Sequence, residues 1–209
     1  NGEAILEVKV PDCVNGLLIA DAEGYKEAKY LISSNEESSA EIVLQKEHKL
    51  NLEVYVDNRL TDNLAVLTIN EYAVGNNISE PLDSVAYPAN SEFSLAEGNY
   101  NLDIKVYSKN SITIPESKQE TCVDIPRTGL LGYLGMEEEK CFEYTLPSQT
   151  LPNIFYAGGK TDWYFTQTEL ENAGIMRIYS TSAVIPISID KLQETYEIIN
   201  AKTLNIALA

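Results

Sequence analysis

Histidine is almost missing from these 209 residues: His48 stands alone, in the polar run Gln45-Lys-Glu-His-Lys49. Imidazole is the commonest proton carrier and metal ligand near neutral pH. A single copy beside three scattered cysteines leaves no conventional zinc site, and no spacing favours a Cys-His nucleophile pair. His48 is expected in a solvated turn. Also missing are Gly-x-Ser-x-Gly, Gly-x-Gly-x-x-Gly and a glycine-rich phosphate loop ending in Lys-Ser/Thr. Acidic residues are plentiful, yet no spacing singles out a carboxylate pair for hydrolysis. The chain reads as non-catalytic. Basic residues are scarce, 15 against 32 acidic, for a net charge of −17. Such a surface repels phosphate backbones, so neither nucleic acid nor an anionic membrane surface is an expected partner. It favours cations and basic proteins instead. No apolar run approaches the roughly 18 residues of a membrane-spanning helix, and no basic stretch precedes an apolar one as in a signal peptide. The opening Asn1-Gly2, without Met, fits a mature or excised segment.

What is present is strand-forming. Hydrophobic residues make up 44%, and 13 tyrosines accompany many Ile, Val and Thr residues, a composition that predicts a mainly β fold. The stretch around which the chain is organised runs from Phe93 to Tyr107. Phe93 and Leu95 alternate before Glu97-Gly98-Asn99, and Tyr100, Leu102, Ile104 and Val106 alternate after it, which predicts a half-buried hairpin. Further strands are expected at Ala4–Val10, Leu17–Ala20, Lys29–Ile32, Ala40–Leu44, Leu50–Val56 and Ala65–Ile69, with a long polar connection from Gly75 to Pro88. The rhythm suits one sandwich or two units, 3–48 and 50–114.

The order Leu52-Glu-Val-Tyr-Val-Asp57, the strand Ala65–Ile69, then the stretch Phe93–Val106 resembles the PEGA and carboxypeptidase-regulatory-like β-sandwich modules over residues 50–107, and loosely over 3–48. The Pro-Glu-Gly-Ala signature itself is absent. The resemblance implies a small extracytoplasmic accessory or spacer module without catalysis. The C-terminal part is similar in character to modules of archaeal cell-surface proteins.

Residues 115–209 read as a separate, smaller part. Cys122 and Cys141 sit on matching strand-like stretches, each ended by proline, and pairing would bring their thiols within bonding distance. A disulfide there favours an oxidising, extracytoplasmic setting; the bland alternative is three buried thiols, with Cys13 the odd one out. Between them, Leu130, Leu131, Tyr133, Leu134 and Met136 form an apolar loop that either folds back or contacts a partner. Thr166 with Glu169 predicts a capped helical turn, and Ser188 caps an expected amphipathic helix with Ile189, Leu192, Tyr196 and Ile199 on one stripe. Trp163 and Tyr164 are candidate glycan-stacking residues. Asp57 and Asp62 are candidate ligands for calcium, although both types are also ordinary turn formers. No other cofactor is expected. Asn77-Ile-Ser79 is the one glycosylation sequon. The sequence therefore reads as a mainly β, extracytoplasmic or cell-surface module for spacing, display or protein docking, with glycan or cation binding as the alternative.

Overall fold

Alternating apolar residues need a second layer to cover them, and the computed structural model, which describes residues 4–72, 79–126, 135, 137–186 and 188–209, shows how that layer is supplied. The described residues form fifteen strands and two helices, confirming a mainly β fold. Strands β1 (Gly16–Ala20) and β2 (Ala28–Ile32) pair as a separate hairpin. After them come β3 (His48–Val56), β4 (Arg59–Leu60), β5 (Ala65–Tyr72), β6 (Ser79–Tyr87), β7 (Glu92–Leu95) and β8 (Gly98–Tyr107). The rest of the chain adds β9 (Ile112–Ile114), β10 (Ser117–Pro126), β11 (Glu137–Leu146), β12 (Gln149–Leu151), β13 (Phe155–Phe165), α1 (Gln167–Asn172), β14 (Ile175–Ser182), α2 (Ile189–Asn200) and β15 (Asn205–Leu208).

Nine of these strands make one sheet in the order β4-β3-β14-β13-β8-β5-β6, with β15 on β14 and β7 on β3. It curls on itself around a single core. Leu50, Leu52 and Val54 of β3 and Met176 and Ile178 of β14 are buried with Leu67 and Ile69 of β5 and Leu102, Ile104 and Val106 of β8. Each such side chain contributes about 1.5–3 kcal/mol on burial. The two parts of the sheet meet where β13 pairs with β14 over only two positions, Ala157 with Ser182 and Gly158 with Thr181. Glycine is required there: at φ +147° and +153°, a Cβ on Gly158 would lie 2.1 Å from the Ile104 carbonyl oxygen, and one on Gly159 2.5 Å from that of Lys202.

Several expectations change. Phe93–Val106 is not a hairpin, because β7 pairs with β3 while β8 pairs with β5 and β13. The Glu97-Gly98 turn instead carries the chain from one part of the sheet to the other. The buried Tyr100 hydroxyl donates to the Ala96 carbonyl at 2.9 Å and ties that corner, the way a tyrosine corner closes a β-sandwich. The expected connection from Gly75 to Pro88 contains β6, which pairs with β5 and buries Val85. No strand forms at Ala4–Val10 or Ala40–Leu44, where Leu6, Val8 and Val43 stay exposed. His48 begins β3 rather than occupying a turn. Residues on both sides of 114/115 share the core, since Phe165, Leu170 and Leu204 join that same cluster.

Both capped helices form as expected. Thr166 and Glu169 make a reciprocal capping box on α1, whose Leu170 is buried. The Ser188 side chain accepts from the Lys191 amide at the start of α2. Ile199 is buried and Tyr196 stacks on Phe155 with ring centroids 3.8 Å apart. No helix among the described residues is long and apolar enough to cross a membrane.

The corner and the tyrosine tie should differ in weight. Gly158→Ala forces the backbone off the Ile104 carbonyl and is expected to destabilise by about 3 kcal/mol or more. Tyr100→Phe removes one buried hydrogen bond, for about 1–3 kcal/mol. Urea titration checks both, as a lowered midpoint with an unchanged slope for Tyr100→Phe and a larger drop for Gly158→Ala.

Candidate functional site

The candidate site is an arm that leaves the core at Ile114 and returns at Ile154, both buried. Its root is β9 paired with β12, where the Thr113 and Thr150 hydroxyls lie 3.3 Å apart and the Ser148 hydroxyl donates to the Ile114 carbonyl. Beyond the root, β10 and β11 form their own two-stranded antiparallel sheet. Ten residues at about 3.4 Å each give it a reach of roughly 30 Å. Apart from half-buried Ser117, Gln119, Ile125 and Leu146, every residue of the two strands is exposed.

An isolated hairpin is marginal in water, and what holds this one is covalent. Cys122 lies directly opposite Cys141, their Cα atoms 3.9 Å apart, and the two form a disulfide, as the matching stretches predicted. Cys13 is a free thiol; the Ser34 hydroxyl 3.4 Å from its Sγ favours the thiolate and lowers its pKa.

The register sorts the arm into two unlike faces, because directly opposed residues project to the same side. One face carries Glu120 opposite Glu143, the disulfide, Asp124 opposite Glu139, and Glu137 opposite Pro126. Lys118, 3.1 Å from Glu143, is the one cation on that face. The other face carries Leu146, Tyr144, Phe142, Val123 and Ile125, with Lys140 opposite Val123 and Glu138 opposite Ile125. There the Tyr144 hydroxyl donates to Gln119 at 2.6 Å, and the Lys140 ammonium sits 5.7 Å from the Phe142 ring centroid. Val123, Phe142 and Tyr144 are 43%, 53% and 44% exposed, so this apolar face is open. Like charges directly opposite each other destabilise a sheet, so the acidic pairs flanking the disulfide strain the pairing that it secures.

Glu120 and the two cysteines are the one group of three possible metal ligands clustered among the described residues. Both sulfurs are in the disulfide, so no thiolate is available there. The other expected sites come out as follows. Leu130, Leu131, Tyr133, Leu134 and Met136, and the sequon's Asn77, lie outside the described residues. Trp163 and Tyr164 occupy opposite faces of β13: the indole packs against the core with its nitrogen buried, whereas the exposed Tyr164 hydroxyl donates to Glu97 at 2.7 Å. They do not form one stacking platform. Asp57 and Asp62 hold different partners. Asp57, in the β3–β4 turn at φ +50°, accepts from the Ser182 amide at 3.0 Å and hydroxyl at 2.6 Å, whereas Asp62 pairs with Lys109 at 2.5 Å. The Ser182 bonds hold the Asp57 carboxyl below its usual pKa, and the Lys109 ammonium does the same for Asp62.

Sequence reasoning missed the two-faced character of the arm; alternation in Lys140-Cys-Phe-Glu-Tyr144 was the available signal. No protein-family model matches the chain, and no curated protein and no solved structure does either.

Removing the disulfide should loosen the arm alone. A cross-link closing a loop of this size contributes about 3 kcal/mol in the chain-entropy model, so Cys122→Ser with Cys141→Ser is expected to speed amide exchange in 117–126 and 137–146 about a hundredfold. The thermal midpoint of the core stays put; a matching fall in that midpoint would mean the arm and core unfold together. A second expectation concerns Asp57. Its folded pKa is depressed, so its stabilisation is complete above the ordinary carboxyl range near pH 4 and fades as pH falls through the folded value. The melting gap between wild type and Asp57→Asn should be largest at neutral pH and narrow steadily as the pH is lowered through and below the ordinary carboxyl range.

Proposed function

We propose that this chain is a non-catalytic extracytoplasmic docking module whose contact element is the β10–β11 arm. The observation that carries the reading is the open apolar face of Val123, Phe142 and Tyr144 on a covalently tied projection. Monomeric proteins seldom leave a row of large side chains exposed on a protruding element without a partner for it. The arm leads into the apolar run from Leu130 to Met136, which extends the same character along the sequence. The disulfide supports the compartment, because such bonds persist outside the reducing cytosol. The likeness of residues 50–107 to PEGA-like spacer modules points the same way.

Proteins that dock outside the membrane keep their cystines, and this gives a direct test. Cells that make the protein are treated with a membrane-impermeant biotin reagent, quenched in acid and alkylated, and the protein is mapped without reduction. The expected result is biotinylated or secreted protein with Cys122 linked to Cys141. Protein that escapes the reagent inside intact cells and carries free thiols at both positions overturns the reading.

A further inference from the structure

The arm is an edge on both sides: β10 and β11 pair with each other and with no other described strand. Along the outer side of β11, every second residue turns its N–H and C=O away from β10, a row of backbone groups ready for another strand. No proline interrupts it from Glu137 to Leu146. Side chains along this edge alternate in kind as well as in direction. Glu137, Glu139 and Glu143 project to the acidic face; Phe142, Tyr144 and Leu146 project to the other, which is apolar toward the root and carries Glu138 and Lys140 toward the tip.

We propose that the free edge of β11 accepts an extended polypeptide segment that alternates basic and apolar residues. This rests on the docking reading and names the chemistry of the partner. An added strand sends successive side chains to opposite faces. Its basic residues therefore lie beside Glu139 and Glu143 and add positive charge to a face that also holds Glu120, Asp124 and Glu137 and, among its described residues, one cation, Lys118, 3.1 Å from Glu143. Its apolar residues widen the Phe142–Tyr144 face. A flat basic surface would answer the acidic face only, and an apolar groove the other only. A second copy of the arm is disfavoured where antiparallel pairing of β11 with itself centres on Cys141, since that register sets Glu139 beside Glu143.

The test uses the oxidised full chain and three fluorescently labelled octapeptides. One alternates lysine and valine, one alternates glutamate and valine, and one has the first composition with its lysines and valines in two blocks. Anisotropy at about 0.15 M salt is expected to show the alternating basic peptide binding at least about tenfold more tightly than either control. Its binding should protect the amides of 137–146 rather than 117–126 from exchange. Glu139→Lys with Glu143→Lys should reverse the preference toward the glutamate peptide, and Phe142→Ser with Tyr144→Ser should weaken binding about tenfold; an unchanged core melt shows that these variants fold. Equal binding of blocked and alternating peptides, protection on β10, or no binding overturns the proposal. Surface exposure with an intact disulfide but no peptide binding would sink the strand-acceptor inference alone, whereas a cytosolic, reduced protein would sink the docking reading whatever the peptides do.

Discussion

The close approach of β13 to two carbonyls, Ile104 on one side and Lys202 on the other, is the constraint on which the rest of the fold depends. Only glycine fits at 158 and 159, and β13 meets β14 only at the adjoining Ala157 and Gly158, before the sheet turns over its own core. Past that corner β14 lies parallel to β3, with Met176 beside Leu52 and Ile178 beside Val54. A parallel partner cannot be reached by a tight turn. The long excursion from Asp57 to Gly174 supplies the crossover, and within it are β5, β6 and β8, the arm and β13. The arm is thus a diversion in a connection that the fold requires, and it starts and ends beside the core.

That placement explains how a projection exposed on both faces is tolerated. The core is closed by Tyr100, Phe165, Leu170 and their neighbours without help from residues 117–146. The stability of the arm comes from its own ladder, its disulfide and the threonine-lined root. A rigid scaffold carrying a locally stabilised element is the usual arrangement for a contact that has to be presented without endangering the fold.

The local periods were legible in the sequence and the pairings were not. Leu50 to Val56 and Tyr100 to Val106 alternate plainly, and both became strands with the expected inner faces. Thr166 and Ser188 announced their helices because a cap is decided within four residues. The Phe93–Val106 stretch misled because alternation reports which face is buried and says nothing about which strand lies alongside; a turn between opposed layers and a turn within one layer leave the same pattern. Strand β6 was hidden because Pro81 and its polar neighbours read as a connection, although Val85 within it is deeply buried. Ala4–Val10 failed the other way: a good strand period with no described partner stays unpaired. In the arm, the cystine followed from two matching stretches, while the separation of carboxylates from aromatics emerged only once Cys122 and Cys141 fixed the register.

That register also reconciles two features that look opposed. Free edges invite pairing with other copies of the same chain, and natural proteins guard them with charge. Here most of the guard sits on one face of the arm, with Glu120, Asp124, Glu137, Glu139 and Glu143 on one side, while the other carries Glu138 and Lys140 toward the tip and the open aromatic residues toward the root. A pattern that loads one face with five carboxylates repels a second such face. The disulfide is what makes such a pattern sustainable, since it holds opposite each other two strands whose acidic pairs push them apart.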